Sequence, residues 1–326
     1  MKPAQPAIAF GPPRAVWAAG ATLGEGTCWS VREQALWWVD ILQHRLYRLR
    51  PADGERREWT LPDTVSAVAE RADAPGLAIT LRRGLAFFDP ASGRLQTLAE
   101  PEPERQGNRF NDGKCDAQGR FWGGTMDFDA EARTGALYCF DRHAGARRAF
   151  DAGYAVCNGP TWSLDGRTMF FNDTVRRNVM ALPFDARTGT LGEARVFMHL
   201  DKHDGFPDGM TTDAAGRLWL AHWGGSCVSC HDADTGAELA RIGLPTAHIT
   251  NVAFGGPGMN TLFITSARFG LSEAQRAEQP LAGALFAVET DAVGQPAPLF
   301  AGRQPGDSMG GNADRADPDP RSTMPD

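Results

Sequence analysis

One pattern repeats along most of the chain: a hairpin in which a small polar turn is followed by an apolar strand. Short β-type runs bounded by Asp-Gly and Ser-Gly turns are typical of antiparallel hairpins. A second hairpin follows each first one, so every unit supplies four strands. The first hairpins cover residues 32–40, 73–80, 116–125, 164–173, 213–221 and 257–265, and the second ones include strands at 45–49, 84–88, 135–140, 178–182, 227–230 and 283–288.

These six units recur about every 45 residues, which is the period of a propeller blade. The sequence therefore predicts an all-β fold, a six-bladed β-propeller of four-stranded blades. Residues 14–20 are predicted to add a strand to the last blade and to close the ring, because an open ring would leave two exposed sheet edges. A pair of β-sandwiches is the alternative, but it gives no reason for a sixfold repeat of paired hairpins.

Composition sets the domain boundaries and excludes several classes of protein. We predict a flexible N-terminus over residues 1–13, the propeller over 14–303, and a disordered tail over 304–326 that is rich in Asp, Pro, Gly and Ser. The formal net charge is −7 and no segment concentrates Lys and Arg, so nucleic acid is not an expected partner. No run of about 18 apolar residues is present, so no membrane span is expected.

Cysteine usage indicates a reducing compartment. The six cysteines are spread through a long chain whose N-terminus has no apolar signal region, so we expect free thiols in a cytoplasmic protein. Cys227 and Cys230 form a single CxxC motif without a second pair to complete a zinc site. Their flanks resemble a strand, and a packed-strand role is the interpretation we prefer over metal or redox chemistry.

The first strand of each propeller blade lines the central channel, so residues entering these strands converge near the axis. We aligned the blades on the residue five positions before the Ser or Asp that ends the first strand. Blade two offers only Thr64 or Val65 at this position, and blade six offers Thr250 or Asn251. The other four blades carry oxygen-bearing side chains there: Glu25, Asn111, Asn158 and Asp208.

Two carboxylates facing each other near an axis repel one another unless a positive charge neutralises them. Carboxylate and amide oxygens are hard ligands, which suit Ca²⁺, Mg²⁺ or Mn²⁺ and also allow Zn²⁺ or Fe²⁺. No His occupies an equivalent position, which disfavours an imidazole-rich site. The alternative is that these are turn residues that satisfy local backbone groups, as Asn and Asp often do.

The residues at these aligned positions, with the motifs around them, resemble those of the senescence-marker/gluconolactonase/luciferin-regenerating family, the regucalcin-like sugar lactonases. The resemblance covers about residues 15–302, and several motifs occur in the family's order. They are Leu23-Gly-Glu-Gly26, Arg109-Phe-Asn-Asp-Gly-Lys114, Gly124-Thr-Met126, Gly135-Ala-Leu-Tyr138, Asn158-Gly159 with Trp162-Ser163, and Pro207-Asp-Gly209. In one departure, Thr27 and Cys28 follow the Glu-Gly pair where the family usually has Pro, which predicts a different local loop shape.

The resemblance implies a six-bladed propeller that binds one divalent cation through Glu25, Asn158 and Asp208. Asp208 would also be the catalytic base, and Arg109 and Asn111 would contact the substrate. A surface salt bridge is the alternative role for Arg109. Two further residues end a strand where they could wall the substrate pocket or simply pack, namely Met126 and Asp127.

The activity that the resemblance implies is hydrolysis of a sugar lactone to the open sugar acid, in carbohydrate catabolism. A small-molecule lactone is then the expected partner, and the chain is expected to be a monomer or weak homodimer. Two alternatives stay open: a binding propeller whose metal is only structural, and a hydrolase of another ester-like substrate such as an organophosphate or aryl ester. No Gly-x-Ser-x-Gly elbow is present, which disfavours a serine hydrolase.

Three histidines near strand ends, namely His203, His222 and His248, are expected to be loop or core residues.

Overall fold

Antiparallel sheets succeed one another along the chain, and each is one blade of a propeller. The computed structural model describes residues 7–141, 143 and 145–302. The first strand, β1 (Arg14–Trp17), precedes the first complete blade. Blade one consists of β2 (Gly24–Ser30), β3 (Ala35–Asp40), β4 (Arg45–Arg50) and β5 (Glu55–Thr60), and blade two of β6 (Val65–Glu70), β7 (Leu77–Leu81), β8 (Leu85–Phe88) and β9 (Leu95–Ala99).

The third and fourth blades follow the same order, with one addition. The third strand of blade four pairs with two short strands in succession, so this sheet has five strands instead of four. Blade three consists of β10 (Asn108–Cys115), β11 (Phe121–Asp127), β12 (Gly135–Phe140) and β13 (Ala146–Tyr154), and blade four of β14 (Cys157–Trp162), β15 (Thr168–Asp173), β16 (Asn178–Asp185), β17 (Thr190–Leu191) and β18 (Arg195–His199).

The last two blades complete the ring. A 3-10 turn at Lys202–Asp204 leads into blade five, and the short helix α1 (Glu273–Glu278) interrupts blade six. Neither of these described helices is long and apolar enough to cross a membrane. Blade five consists of β19 (Phe206–Thr212), β20 (Leu218–Trp223), β21 (Cys227–His231) and β22 (Glu238–Gly243), and blade six of β23 (Ile249–Gly255), β24 (Thr261–Ser266), β25 (Leu285–Glu289) and β1.

Two observations establish that the sheets form a closed ring. Strand β1 pairs antiparallel with β25, so that Arg14 lies opposite Ala287. The innermost strands contact each other in the circular order β2, β6, β10, β14, β19, β23 and back to β2. The predicted six-bladed propeller and its closure by an N-terminal strand are therefore confirmed. In this ring blade one lies opposite blade four, and blade three lies opposite blade six.

The repeated turn motif has a side-chain explanation in blades three and five. In blade five, Asp213 Oδ1 accepts the N–H groups of Ala215 and Arg217, and Oδ2 accepts Arg217 Nε at 2.6 Å and Trp219 Nε1 at 2.9 Å. One buried carboxylate thus closes the turn and anchors the next strand. The same Asp, Arg and Trp positions in blade three form the same contacts, which is why this Asp-x-x-Gly-Arg-x-Trp pattern recurs in the sequence.

Apolar side chains fill the spaces between neighbouring blades. The largest fully buried residues are Trp37, Trp38, Trp122 and Trp219. All six cysteines are buried free thiols, including the Cys227 and Cys230 pair inside strand β21. The packed-strand interpretation of that CxxC motif is therefore confirmed.

The segments that flank the propeller contact it within the described residues. Gly11 N donates to Glu289 O at 2.8 Å, and Ile8 packs in the core between blades five and six. After β25 the chain crosses the ring, because Gly294 bridges to Asp213 of blade five and Phe300 bridges to Arg71 between β6 and β7 of blade two. The predicted tail over 304–326 and residues 1–6 of the predicted flexible N-terminus lie outside the described residues.

Candidate active site

β-Bulges in the innermost strands bring the predicted site residues to one level of the channel. In blades one and four, Glu25 and Asn158 are the last paired residues before the bulge. In blades three and five, Asn111 and Asp208 are the first residues inside the bulge, directly after Phe110 and Pro207. A bulge re-aims a side chain out of the regular alternation of a strand. These four polar side chains therefore lie at the end of the channel where the inner strands begin.

All four side chains are almost completely removed from solvent. Glu25 is 4% exposed, Asn111 5%, Asn158 3% and Asp208 5%. The pKa of Glu25 is raised to about 8, chiefly by burial and then by the Asp112 charge, while the N–H groups of Gly26 and Asn251 act to lower it. Burial also raises the pKa of Asp208 well above its ordinary value, and the charge of Glu25 adds to this effect. The two carboxylates are close enough to disfavour each other's ionisation.

A chain of hydrogen bonds connects the predicted substrate-contacting residues with the predicted metal ligands. Arg109 Nη1 donates to Asn111 Oδ1 at 2.7 Å, and Asn111 Nδ2 donates to Asn158 Oδ1 at 2.7 Å. Asn158 Nδ2 donates to Thr174 Oγ1 at 2.9 Å, and that hydroxyl donates to the carbonyl of Pro207 at 2.9 Å. The chain thus runs from blade three through blade four to the residue before Asp208. The structure brings Arg109, Asn111, Asn158 and Asp208 together.

The donor set has the chemistry of a site for a hard divalent cation. Neither Glu25 nor Asp208 has a Lys, Arg or His nitrogen within 4.0 Å in the described part of the chain. Two buried carboxylates without a paired cation are energetically costly, and a divalent ion removes that cost. Asn158 Oδ1 has a second lone pair besides the one that accepts from Asn111. Among the described residues, no three His, Cys, Asp or Glu side chains form a group that could hold a metal ion by themselves, so the set depends on this amide oxygen.

Arg109 is buried beside these carboxylates and is not a surface salt-bridge residue. It is 5% exposed, and its Nε has no hydrogen-bond partner among the described residues. Burial lowers its pKa to about 10, and the charges of Glu25 and Asp208 oppose that shift. The guanidinium is therefore still charged at neutral pH, with donor capacity left for a ligand. Its Cζ lies 5.8 Å from the ring of Phe128, which is 38% exposed.

The two predicted pocket-wall residues have different surroundings. Met126 is buried and lies directly opposite Arg109 in the pairing of β10 with β11. Asp127 Oδ2 accepts the N–H groups of Glu131 and Ala132, each at 3.0 Å, so its carboxylate is engaged by the following loop. Of the two residues, Met126 is therefore the one that lies next to Arg109.

The histidines occupy loop and core positions. His222 Nε2 lies 2.6 Å from Ser229 Oγ, and its Nδ1 lies 2.8 Å from the carbonyl oxygen of Asp204. His248 stacks on Trp223 with 4.0 Å between ring centroids, and His203 is exposed in the 3-10 turn. Both ring nitrogens of His222 are therefore engaged within blade five.

Three buried polar residues at the site were assigned no role from the sequence. Asp112 follows Asn111 in its motif, and Asn251 is one of the two blade-six residues at the aligned position. Asn172 lies opposite Asn158, donates from Nδ2 to the carbonyl of Asp208, and leaves its own Oδ1 without a partner among the described residues. The feature that could have identified Asp112 and Asn251 is their position in the bulge segments, where two successive side chains face one partner residue.

Fold and site together define a closed six-bladed propeller with a buried set of carboxylate and amide oxygens at one end of its channel. The chain belongs to the family described as the SMP-30/gluconolactonase/LRE-like region, whose profile matches residues 23–268. Several relatives of the chain are named as sugar lactonases.

Individual relatives are similar over most of their length. The chain is 36% identical to L-arabinolactonase from Azospirillum brasilense, with 86% of this chain and 93% of the relative covered. It is 38% identical to 6-deoxy-6-sulfogluconolactonase from Pseudomonas putida, with 86% and 96% covered. Among solved structures, a calcium-binding protein, regucalcin, from Agrobacterium tumefaciens superposes with a TM-score of 0.84 at 34% identity, covering 89% of this chain and 97% of that one.

Proposed function

We propose that this protein is a divalent-metal-dependent lactonase that opens a sugar lactone to its sugar acid in carbohydrate catabolism. The observation that carries the proposal is the grouping of Glu25, Asn158 and Asp208 from three blades, all nearly fully buried, beside a charged Arg109. Relatives named L-arabinolactonase and 6-deoxy-6-sulfogluconolactonase support the substrate class.

Glu25, Asn158 and Asp208 would hold the cation, which would be Ca²⁺, Mg²⁺, Mn²⁺, Zn²⁺ or Fe²⁺. A bound ion of this kind polarises a carbonyl and lowers the pKa of water. The relative from Agrobacterium tumefaciens is described as calcium-binding, which supports Ca²⁺ as the first ion to test. The two carboxylates balance the charge of one divalent ion, and burial excludes competing water.

The reaction needs a base, a donor and a means of orientation. Asp208 would accept a proton from the attacking water as the water oxygen bonds to the lactone carbonyl carbon. The ring C–O bond then breaks, and the ring oxygen leaves as a hydroxyl with the proton that Asp208 returns. The product is the open carboxylic acid, which ionises at neutral pH.

Arg109 would donate to the negative charge that develops on the substrate or to its hydroxyl groups. A charged donor in a buried site is worth more than in water, because competing solvent is excluded. Asn111 would orient both partners, since its Oδ1 accepts from Arg109 and its Nδ2 donates to Asn158. The second lone pair of Asn111 Oδ1 is available to a substrate hydroxyl.

Acid release tests the proposal directly. Gluconolactone, xylonolactone and arabinonolactone are assayed with Ca²⁺, Mg²⁺, Mn²⁺ or Zn²⁺ and after exhaustive chelation, alongside an aryl ester and an organophosphate. We expect turnover of at least one lactone that chelation abolishes and added metal restores, and loss of that turnover in Asp208→Ala. Thr80→Val, which alters a buried hydroxyl of blade two outside the site, serves as the control.

Three outcomes would contradict the proposal. Full activity after chelation would show that the reaction does not need a metal ion. Wild-type rates in Asp208→Ala would show that Asp208 is not the catalytic base. Turnover of only the aryl ester or the organophosphate would assign another substrate class to the same site.

The cytoplasm is the location we propose for this activity. The six free thiols support it, because exposed or buried thiols persist unpaired in reducing compartments.

A further inference from the structure

A pair of buried polar side chains crosses the channel axis next to the candidate metal ligands. Asn251 Nδ2, from blade six, donates to Asp112 Oδ2, from blade three, at 3.3 Å. These blades lie opposite each other in the ring, so the bond spans the channel directly. Asp112 is 3% exposed and Asn251 is 0% exposed. We refer to Asp112 and Asn251 as the cross-channel pair.

Asp112 holds the bulge of blade four as well as that of its own blade. Its Oδ1 accepts Gly113 N–H at 2.7 Å, and its Oδ2 accepts Gly159 N–H at 3.1 Å. Gly159 directly follows the ligand Asn158 in the chain and has a φ of +81°, which a glycine adopts without strain. Because both of its oxygens are engaged, Asp112 fixes the position of Asn158 instead of adding a free ligand oxygen.

Asn251 reaches the bulges of blades one and five. Its Oδ1 accepts the hydroxyl of Thr27 at 2.7 Å. Its amide also packs directly on Gly209, where any Cβ would overlap it. Asn251 therefore adjoins the residue after Asp208 and the second residue after Glu25. Thr27 occupies the position at which the family that the chain resembles usually has proline, and proline has no hydroxyl group that could donate to Asn251.

We propose that Asp112 and Asn251 are positioning residues that set the spacing of Glu25, Asn158 and Asp208 and thereby the affinity for the divalent cation. The inference deepens the proposed function and rests on it. The three ligands come from separate blades, and no hydrogen bond within a single blade fixes the distance between them. The cross-channel pair contacts the bulge segment of every ligand. Groups that orient metal ligands typically contribute 10-fold to 100-fold to metal affinity.

Calorimetric titration of the metal-stripped protein with Ca²⁺ and with Mn²⁺ tests this role without depending on turnover. The variants are Asn251→Ala, Asp112→Asn and Thr27→Val. Thr27→Val keeps the side-chain shape and removes only the donor to Asn251. We expect cation affinity to fall about 10-fold to 100-fold in the first two variants and less in Thr27→Val.

The matched control is Thr80→Val. Thr80 Oγ1 and Ser66 Oγ form a 2.9 Å bond that is also buried, but it joins β7 to the inner strand β6 of blade two, which supplies no ligand. We expect this control to lose thermal stability without losing cation affinity. A role that is merely structural would instead lower the Tm of the metal-free protein equally in all variants and leave the affinity unchanged.

The outcomes separate this inference from the proposed function. Wild-type affinity in Asn251→Ala and Thr27→Val would overturn the inference alone. If Asn251→Ala and Asp112→Asn fail to fold, Thr27→Val decides: weakened cation binding supports the role and unchanged binding overturns it. A wild-type chain that binds neither cation is titrated with Mg²⁺, Zn²⁺ and Fe²⁺ as well, and failure to bind any of the five would overturn both the proposed function and this inference.

Discussion

Asn111 donates from Nδ2 to Asn158 Oδ1 at 2.7 Å, and this bond joins the inner strands of blades three and four. The acceptor is the amide oxygen that we assign to the cation, and the other end of Asn111 accepts from Arg109. One side chain therefore sets the distance between the ligand side and the donor side of the site. A change at position 111 should affect both.

Replacing Asn111 with Ala should lower kcat/KM for the lactone by about 10-fold to 100-fold. The reason is that Arg109 loses the acceptor that aims it, and Asn158 loses the donor that orients its amide. Steady-state kinetics on the best lactone measure the effect. Asn178→Ala, on β16 outside the site, is the control. Equal kinetics in both variants would contradict the orienting role.

Cation binding should raise the stability of the folded chain. A ligand that binds only the folded state at 100 times its Kd adds about 2.7 kcal/mol, which raises the Tm by several degrees. Calorimetric melts with Ca²⁺ and with chelator measure the shift. Glu25→Gln should abolish most of it, since it removes one ligand charge, while Glu58→Gln on the exposed edge should retain it. A shift that survives in Glu25→Gln would place the ion elsewhere.

Asp213→Ala should destabilise the protein by about 3–5 kcal/mol, because it leaves the buried Arg217 and Trp219 donors without their acceptor. Urea unfolding measures the difference. Asp165→Ala removes the aspartate of the corresponding turn in blade four, where the contacts to Ser163 and Arg167 are exposed, and should cost less than about 1 kcal/mol. Similar losses in the two variants would show that burial of the turn carboxylate contributes little.

Burial of His222 should make a contribution to stability that is lost as the pH drops below 6.5. Burial lowers the pKa of His222 to about 4, so the neutral ring stabilises the fold fully above pH 6.5 and this contribution is lost as the pH falls towards 4. For this residue the loss between pH 7 and pH 5 is about 2 kcal/mol. Urea unfolding at both pH values should show a smaller pH dependence in His222→Gln than in the wild type. His199→Gln at the surface is the control, and an unchanged pH dependence in His222→Gln would contradict this assignment.

The sequence predicted the architecture well because each blade repeats the same local signals. Turn residues such as Asp213 and Gly216 mark many of the hairpins, and the unit length matches a blade. The extra short strand of blade four was not predicted. Residues 183–191 form a tight local hairpin whose strand β17 is only two residues long, too short to produce a recognisable alternation.

The candidate site was only partly accessible to the same reasoning. Alignment of the blades selected one residue in each of four blades, namely Glu25, Asn111, Asn158 and Asp208, and in blade six it left Thr250 and Asn251 as alternatives. A bulge, however, contains two successive residues without a partner in the register. The second of these residues is Asp112 in blade three and Asn251 in blade six. Their contact joins opposite blades, and a pairing across the axis depends on the three-dimensional ring, which no local pattern encodes.

The pairing of Arg14 with Ala287 has a consequence for how the chain is made. The strand that seals the circle leaves the ribosome before the other described strands of the propeller, whereas its partner is the last of them to be made. Until that last strand has been made, the nascent protein holds an unsealed arc with two free edges, and blade one, which carries the candidate ligand Glu25, lacks its complete neighbour, blade six.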